Sequence, residues 1–175
     1  MVEVNNGEST ILMEFVLCAF KGDRRVVCTL EQQDDGFRLT YEAEPAKDLV
    51  WPKFEGLQRV NELWRSTCCE LFIGEADSNE YIEINICPSG RWNCFRFDSY
   101  REGMREAVWQ PRDIRSGPGW LEADWPHELA PVCHIGPAAV LADRQNHMDY
   151  LALRHGDRPD FHDRCQHVLV QRHDL

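Results

Sequence analysis

The amino-acid sequence predicts an all-β fold: an antiparallel β-sandwich or jelly roll of about ten strands, with at most one or two short helices. Apolar and polar residues alternate with a period of two along most of the chain, and turn-forming residues interrupt the alternation at short intervals. The chain has 175 residues, 43% of them hydrophobic, and neither a linker nor a fixed-period repeat divides it. We therefore expect residues 1–175 to form a single domain.

The first three predicted strands form a β-meander. Alternating runs cover residues 11–20, 24–32 and 37–44, and the turn sequences Lys21-Gly22-Asp23 and Asp34-Asp35-Gly36 separate them. Short polar turns between such runs are typical of strands that pair with their neighbours in the sequence.

The next three strands are predicted at Cys68 to Gly74, Tyr81 to Cys87 and Arg91 to Phe97. They follow an irregular segment, residues 45–65, whose tryptophans and phenylalanine provide apolar anchors in a connection. The tight turn Pro88-Ser89-Gly90 joins the second of these strands to the third.

In the last third of the chain, the residue pattern predicts one short helix and further strands. Residues 100–109 have the pattern of one or two helical turns, and residues 110–131, with four prolines, are expected to be extended strand and loop. A hairpin is predicted from Ala138 to Ala142 and Met148 to Arg154, and a strand at Cys165 to Arg172 closes the sheet.

The central strands each place apolar side chains on one face and a polar and aromatic mixture on the other, because successive side chains of a strand alternate. The apolar sets that we assign to the core are Leu71 with Ile73, then Ile82, Ile84 and Ile86, then Phe95 with Phe97. The opposite face then carries Glu70, Phe72, Tyr81, Glu83, Asn85, Trp92 and Arg96.

Carboxylate, amide and guanidinium groups beside flat aromatic rings are the chemistry that binds a sugar or polyol, whose ring stacks while its hydroxyls form hydrogen bonds. The same residues are equally typical of a solvated sheet face with cross-strand ion pairs. Alternation does not distinguish the two interpretations.

Two blocks of sequence resemble a known family. The block Leu63 to Met104 contains a Leu-Trp-x-x-Thr-Cys-x-Glu strand, a Tyr-x-Glu-x-Asn strand, a Pro-Ser-Gly turn and an aromatic strand ending in Tyr-Arg. The block Tyr150 to His162 contains Pro-Asp-Phe-His. Together they resemble the DOMON-like domains of the group related to type 9 carbohydrate-binding modules, whose relatives divide between sugar-binding and haem-binding domains.

This resemblance implies a β-sandwich with a ligand-binding face, and it adds Arg101 to the polar positions found by alternation. The sequence departs from the family pattern at three places. Cys69 and Leu151 stand where an aromatic residue is usual, and Cys87 stands where serine usually precedes Pro-Ser-Gly. We therefore expect weaker aromatic stacking than the family pattern implies.

Composition argues against several classes of partner. The formal net charge of −11 repels phosphate backbones and anionic lipid surfaces, so we expect neither nucleic acid nor a membrane as partner. The N-terminal residues are acidic where a signal peptide is basic, so we expect a cytoplasmic protein. The eight cysteines contain no CxxC pair and are expected to be small buried hydrophobic residues.

Other chemistry is disfavoured by spacing. Met13, Met104 and Met148 and seven histidines are available for haem, but no spacing pairs them, and we expect no cofactor. The cluster His162-x-x-Cys165-x-His167 lacks a second pair of zinc ligands, so we expect no metal. No Gly-rich phosphate loop occurs.

Glu70 and Glu83 lie on neighbouring strands and could approach the separation of a glycosidase pair, but nothing in the sequence indicates the raised pKa that the acid partner needs, and we expect no catalysis. The function predicted from sequence is therefore non-catalytic binding of a carbohydrate or similar small polar ligand by Glu70, Glu83, Asn85, Trp92, Arg96 and Arg101. The alternative is an interaction domain that forms a homodimer or docks a protein partner through the same face.

Overall fold

The computed structural model describes residues 12–171, so Ile11 and Arg172, at the ends of the first and last predicted strands, lie outside the described residues. These residues form thirteen strands and two short 3-10 helices, Leu63–Arg65 and Arg164–Gln166. The strands are β1 (Leu12–Ala19), β2 (Arg25–Gln33), β3 (Gly36–Glu44), β4 (Gln58–Arg59), β5 (Cys68–Glu75), β6 (Tyr81–Ile86), β7 (Arg91–Phe97), β8 (Arg105–Glu106), β9 (Asp113–Gly117), β10 (Trp120–Trp125), β11 (Val132–Ala142), β12 (Met148–Ala152) and β13 (Val168–Gln171).

All thirteen strands belong to one curled sheet, so the all-β prediction is confirmed. Its order is β4-β7-β6-β5-β11-β12-β1-β2-β3-β10-β9, with β13 paired to β11 and β8 paired to β7. Every pairing is antiparallel except that of β4 with β7, which is parallel. The sheet therefore departs from the predicted antiparallel pattern only at its β4 edge.

The predicted meander is present as β1, β2 and β3, whose registers are continuous. Gly36 begins β3 at a φ of 154°, and a Cβ atom there would lie 2.0 Å from the carbonyl oxygen of Trp125. This close approach of two backbones explains why the β2–β3 turn ends in glycine.

The curl of the sheet brings its two halves face to face around the hydrophobic core. Trp92 of β7 packs edge-to-face against Trp125 of β10, with ring centroids 6.1 Å apart. The hydroxyl of Tyr41 on β3 donates a 2.6 Å hydrogen bond to the backbone carbonyl of Glu70 on β5. The structure is thus a two-layer sandwich folded from one sheet, and β5, β6, β7 and β11 form the layer that carries the polar face.

The face assignment of β7 was wrong. Cys94 pairs with Ile84 and Trp92 with Ile86, so Trp92 and Cys94 lie in the core. Phe95 pairs with Glu83 on the opposite face. Both sets of β7 side chains are apolar enough to be buried, and loops cover the outer face, so alternation identified the two sets but not which one faces the core.

The helix predicted at residues 100–109 is absent, and β8 lies there instead. A tight turn precedes it, in which the amide of Asp98 bonds to the carbonyl of Glu102 and the amide of Glu102 bonds to the carbonyl of Ser99. Arg101 has a left-handed φ of 57° in this turn. A residue in that conformation ends a right-handed helix, which is why the turn forms in its place.

The last strands are present with shifted bounds: β11 begins at Val132, before the predicted Ala138, and β13 begins at Val168, because the 3-10 helix Arg164–Gln166 occupies the start of the strand predicted from Cys165. Residues 110–131 contain the β9–β10 hairpin, and β11 pairs with β12 across the predicted connection. Six of the eight free cysteines are buried, while Cys18 and Cys165 are exposed. The described chain contains no helix with the length and apolar character that a bilayer span requires.

Candidate functional site

A cavity of about 370 Å³ lies on the outer face of the β5–β6–β7–β11 layer. Loops and strand side chains together enclose it. Its apolar walls are Trp64, Phe97, Met104, Val140, Tyr150, Pro159 and Phe161. Its polar lining groups are Glu70, Glu83, Arg101 and His162. Apolar walls with a few convergent polar groups are typical of sites that bind small molecules.

The structure brings four of the six predicted site residues together. Glu70, Glu83 and Arg101 line the cavity, and Asn85 lies directly behind Glu83, to which its side-chain amide donates a 2.7 Å hydrogen bond. Asn85 is fully buried, and the Cys68 thiol also reaches its amide oxygen, at 3.6 Å. Asn85 therefore supports the cavity floor and does not line it.

The other two predicted residues face away from the cavity, which corrects the sequence prediction. Trp92 packs in the core, where the guanidinium of Arg59 lies 4.3 Å from the centroid of its ring. Arg96 pairs with Ile82 across the strands and forms an exposed ion pair with Glu80. Both belong to the set of β7 side chains whose face was inverted.

Glu70 and Glu83 place two buried carboxyls in one cavity. Glu70 is 4% exposed and Glu83 is 5% exposed, and they lie on neighbouring strands, where Glu70 pairs with Asn85 and Phe72 with Glu83. Burial raises the pKa of Glu83 to about 7. The pKa of Glu70 is raised well above its ordinary value, first by burial and then by the charge of Glu83. At neutral pH this pair therefore retains protons that ordinary carboxyls have lost.

Oxygen Oε1 of Glu70 is buried and makes no hydrogen bond to any described group. A buried carboxyl oxygen without a donor costs free energy, because water no longer solvates it. Since Glu70 lines the cavity, a ligand placed there can supply the missing donor. Glu70 thus adds an unsatisfied hydrogen-bond acceptor to the residues that line the cavity.

Tyr81, His162 and Arg101 form a hydrogen-bonded arm beside Glu83. The Tyr81 hydroxyl lies 2.8 Å from Nδ1 of His162 and accepts a 3.1 Å bond from the amide of Arg101. Nε2 faces Oε2 of Glu83 at 3.7 Å.

His162 is uncharged at neutral pH. Burial, followed by the charge of Arg101, lowers the pKa of His162 to about 4. The guanidinium of Arg101 is engaged by Asp160 at 2.8 Å. The two buried carboxyls consequently have no cation bonded directly to them among the described residues.

An aromatic cluster fixes His162 in place. Tyr81 and Phe97 stack with ring centroids 4.7 Å apart, and the His162 ring meets Phe72 and Phe97 edge-on at 5.0 and 5.2 Å. Offset and edge-on rings of this kind stabilise one arrangement of the side chains. The arm is thus held rigid before any ligand enters.

Sequence reasoning missed eight of the residues that line the cavity, and five of these have ring side chains that carry its aromatic and histidine surface: Trp64, Phe97, Tyr150, Phe161 and His162. Four of them lie on or beside loops far apart in the sequence, which no alternation pattern connects. A signal was nevertheless present, because all five lie within the two blocks on which the resemblance to DOMON-like domains rests.

The geometry around His162 does not fit an axial haem ligand. Its Nδ1 is bonded to Tyr81 and its Nε2 faces Glu83, so neither ring nitrogen is directed at open space. Among residues 12–171, no three His, Cys, Asp or Glu side chains are grouped as a metal site would require.

Comparison with known proteins gives a likeness of fold. No protein-family model matches the chain, and no curated protein matches it either. The chain is similar to the crystal structure of a "putative carbohydrate-binding protein" from Bacteroides uniformis ATCC 8492, with a TM-score of 0.63 and 12% sequence identity. The likeness covers 92% of this chain and 85% of that one. At this identity the comparison shows a shared all-β fold.

Proposed function

We propose that the protein binds a small carbohydrate or a similar polyol in the cavity on its outer sheet face, without transforming it. The observation that carries the proposal is the cavity floor, where Glu70 and Glu83 are buried below aromatic walls and Asn85 supports Glu83 from behind. Sugar rings present apolar faces to aromatic side chains and hydroxyl donors to carboxylates.

The size of the cavity supports the proposal. About 370 Å³ accommodates a monosaccharide or one residue of a longer chain, and is near the lower end of small-molecule sites. The similarity of the fold to that of a protein described as carbohydrate-binding also supports the proposal. The unpartnered oxygen of Glu70 gives a hydroxyl donor a place to bind.

Strain in the backbone of Arg101 is consistent with a binding role. A non-glycine residue with a left-handed φ is uncommon and costs about 1 kcal/mol, so it persists where the surrounding contacts fix it. Here the strained turn brings the amide of Arg101 to Tyr81 and its guanidinium to the cavity rim.

The test is calorimetric titration with a panel of neutral and amino monosaccharides and disaccharides, on wild type and two variants. Tyr150→Ala removes a wall ring that is 40% exposed, and should weaken binding about tenfold with little loss of stability. Arg96→Ala, on the opposite face, should leave affinity unchanged.

If no sugar of the panel binds, the proposal is wrong. It is also wrong if Arg96→Ala abolishes binding while Tyr150→Ala does not, because the binding face would then be the one on the other side of β7.

A further inference from the structure

Glu70 and Glu83 form a buried acidic pair for which the described residues supply no direct counter-charge. Asn85 satisfies one oxygen of Glu83, and the nearest ring nitrogen of His162 is 3.7 Å from the other. The guanidinium of Arg101 is bonded to Asp160, and Oε1 of Glu70 has no partner. Two buried carboxyls that share one cavity without a bonded cation keep their protons, because burial penalises the ionised form, and a bound cation would stabilise the ionised pair.

We propose that the ligand is an amino sugar with a free amine, whose ammonium group binds between Glu70 and Glu83. This inference rests on the proposed function. Glu70 and Glu83 lie diagonally across β5 and β6 and line the same cavity, and an ammonium group has three donors to share between the two carboxyls. A hydroxyl has one donor and no charge. The ammonium group therefore gains charge-assisted bonds that a neutral sugar does not.

The walls of the cavity favour the same class of ligand. Trp64, Phe97, Tyr150 and Phe161 surround the acidic floor with aromatic rings, which attract a cation through their negative faces as well as stacking on a sugar ring. The net charge of −11 raises the local concentration of cations around the protein. Both effects add to the attraction of the carboxyl pair.

Cation binding must displace protons from the pair. Glu83, with a pKa of about 7, and Glu70, with its pKa raised further from the ordinary range, hold protons at neutral pH, and an ammonium group binds the ionised form. The affinity for an amine should thus rise between about pH 6 and about pH 8, an interval centred on the pKa of Glu83, and continue to rise where Glu70 ionises, while that for a neutral sugar should stay flat.

Other titratable groups surround the pair and bear on this pH dependence. Those facing the two carboxyls from the cavity are Tyr81, His162 and Arg101, of which His162 remains neutral and Arg101 charged throughout the interval. Burial raises the pKa of the Cys68 thiol beside the pair and, in the core beneath it, of the thiols of Cys69 and Cys94 and the hydroxyl of Tyr41.

Cys87 is the exception, because a bond from the Cys68 thiol lowers the pKa of Cys87. Cys87→Ser therefore serves as a check on the pH profile. If the rise in amine affinity comes from the carboxyl pair, this variant retains it.

The experiment compares glucosamine, galactosamine and mannosamine with their neutral parent sugars and their N-acetyl derivatives by isothermal titration at about pH 7. We expect at least about tenfold tighter binding of the free amines, as a charge-assisted bond implies. Titration in two buffers of different ionisation enthalpy should show proton release for the amines only.

Glu70→Gln keeps the shape of the side chain and removes its charge, so it should abolish the preference for amines while retaining binding of the neutral sugars. Glu42→Gln, an exposed carboxyl on β3, is the matched control and should change nothing. If Glu70→Gln does not fold, Glu83→Gln and the pH profile of the wild type test the same point.

Equal affinity for amines and neutral sugars, or an unchanged preference in Glu70→Gln, would overturn this inference and leave the proposed carbohydrate binding standing. Failure of every sugar, charged or neutral, would overturn the proposed function itself. The two failures are thus distinguishable in one set of titrations.

Discussion

The buried carboxyl of Glu83 should make the stability of the protein depend on pH. The folded pKa of Glu83, about 7, lies above the ordinary value of 4.5, so folding takes up protons between these values. The contribution of Glu83 to stability is therefore most favourable below about pH 4.5 and declines as the pH rises through about 7. The ionised form is the one that burial penalises.

Glu83→Gln should remove this decline. We expect the variant to gain on the order of 3 kcal/mol relative to wild type between about pH 4.5 and about pH 8, since the shift corresponds to that energy. Urea unfolding followed by circular dichroism at both pH values measures it, with Glu42→Gln as control. Parallel pH profiles for wild type and Glu83→Gln would show that burial does not perturb this carboxyl.

At the scale of residues, alternation predicted which side chains share a face but not which face is buried. In β6 the choice was unambiguous, because three isoleucines oppose Tyr81, Glu83 and Asn85. In β7 both sets contain aromatic rings, and the two phenylalanines were assigned to the core in place of Trp92. Loops bury Phe95 and Phe97 on the outer face, which leaves Trp92 for the core, and the positions of those loops depend on tertiary structure.

Turns fix the relative positions of the elements, and the β6–β7 turn is a clear case. Gly90 has a φ of 88°, and a Cβ atom there would lie 2.5 Å from the carbonyl oxygen of Gly56 and 2.6 Å from the ring of Phe54. The amide of Gln58 bonds to the carbonyl of Gly90, which continues into the parallel pairing of β4 with β7. The turn thus holds a loop onto the sheet edge.

Gly90→Ala should destabilise the protein by at least about 2 kcal/mol more than Gly22→Ala. Gly22 has a similar φ, 96°, but nothing lies within 4 Å of a Cβ built there, so it incurs the backbone strain without the clash. Thermal unfolding of the two variants separates these effects. Equal losses of stability would mean that the loop around Gly56 moves away without cost when a Cβ atom is added at Gly90. The contact between Gly90 and Gly56 would then not stabilise the sheet edge.

At the scale of elements, the meander and the last hairpin were predictable because strands paired with sequence neighbours need only local turn chemistry. The segment from Tyr100 to Trp109 was not. Its polar and apolar spacing fits a helix, but Arg101 adopts a left-handed φ while bonded to Tyr81 and Asp160. Those partners lie 20 and 59 residues away, beyond the reach of any local pattern.

At the scale of the molecule, the cavity is assembled from segments that the curled sheet brings together. The loop around Arg101 and the late Phe161-His162 segment meet over β5 and β6 only after the sheet has formed. The all-β class was readable from periodicity, whereas the cavity was not, because its walls come from loops without periodicity. The resemblance of two distant blocks to one family was the only sequence signal that joined them.

The two layers of the sandwich are linked by one buried polar bond directly beneath the site. Tyr41 is fully buried in the layer opposite the cavity, and its hydroxyl donates to the backbone carbonyl of Glu70. The far layer therefore contributes to fixing the strand that carries one of the two carboxyls. Removing the donor leaves a buried carbonyl without this bond, which costs more than the loss of an exposed hydrogen bond.

Tyr41→Phe should lower the free energy of unfolding by about 1 to 3 kcal/mol. Tyr150→Phe is the control, because its hydroxyl forms no hydrogen bond within the described part of the chain and its side chain is partly exposed. Chemical denaturation of both variants measures the difference in their free energies of unfolding. Titration of folded Tyr41→Phe with a sugar that binds the wild type measures whether the lost bond also weakens binding at the site. A stability equal to that of Tyr150→Phe would mean that packing alone joins the layers. A loss of stability together with weaker binding would show that the position of Glu70 depends on the opposite layer.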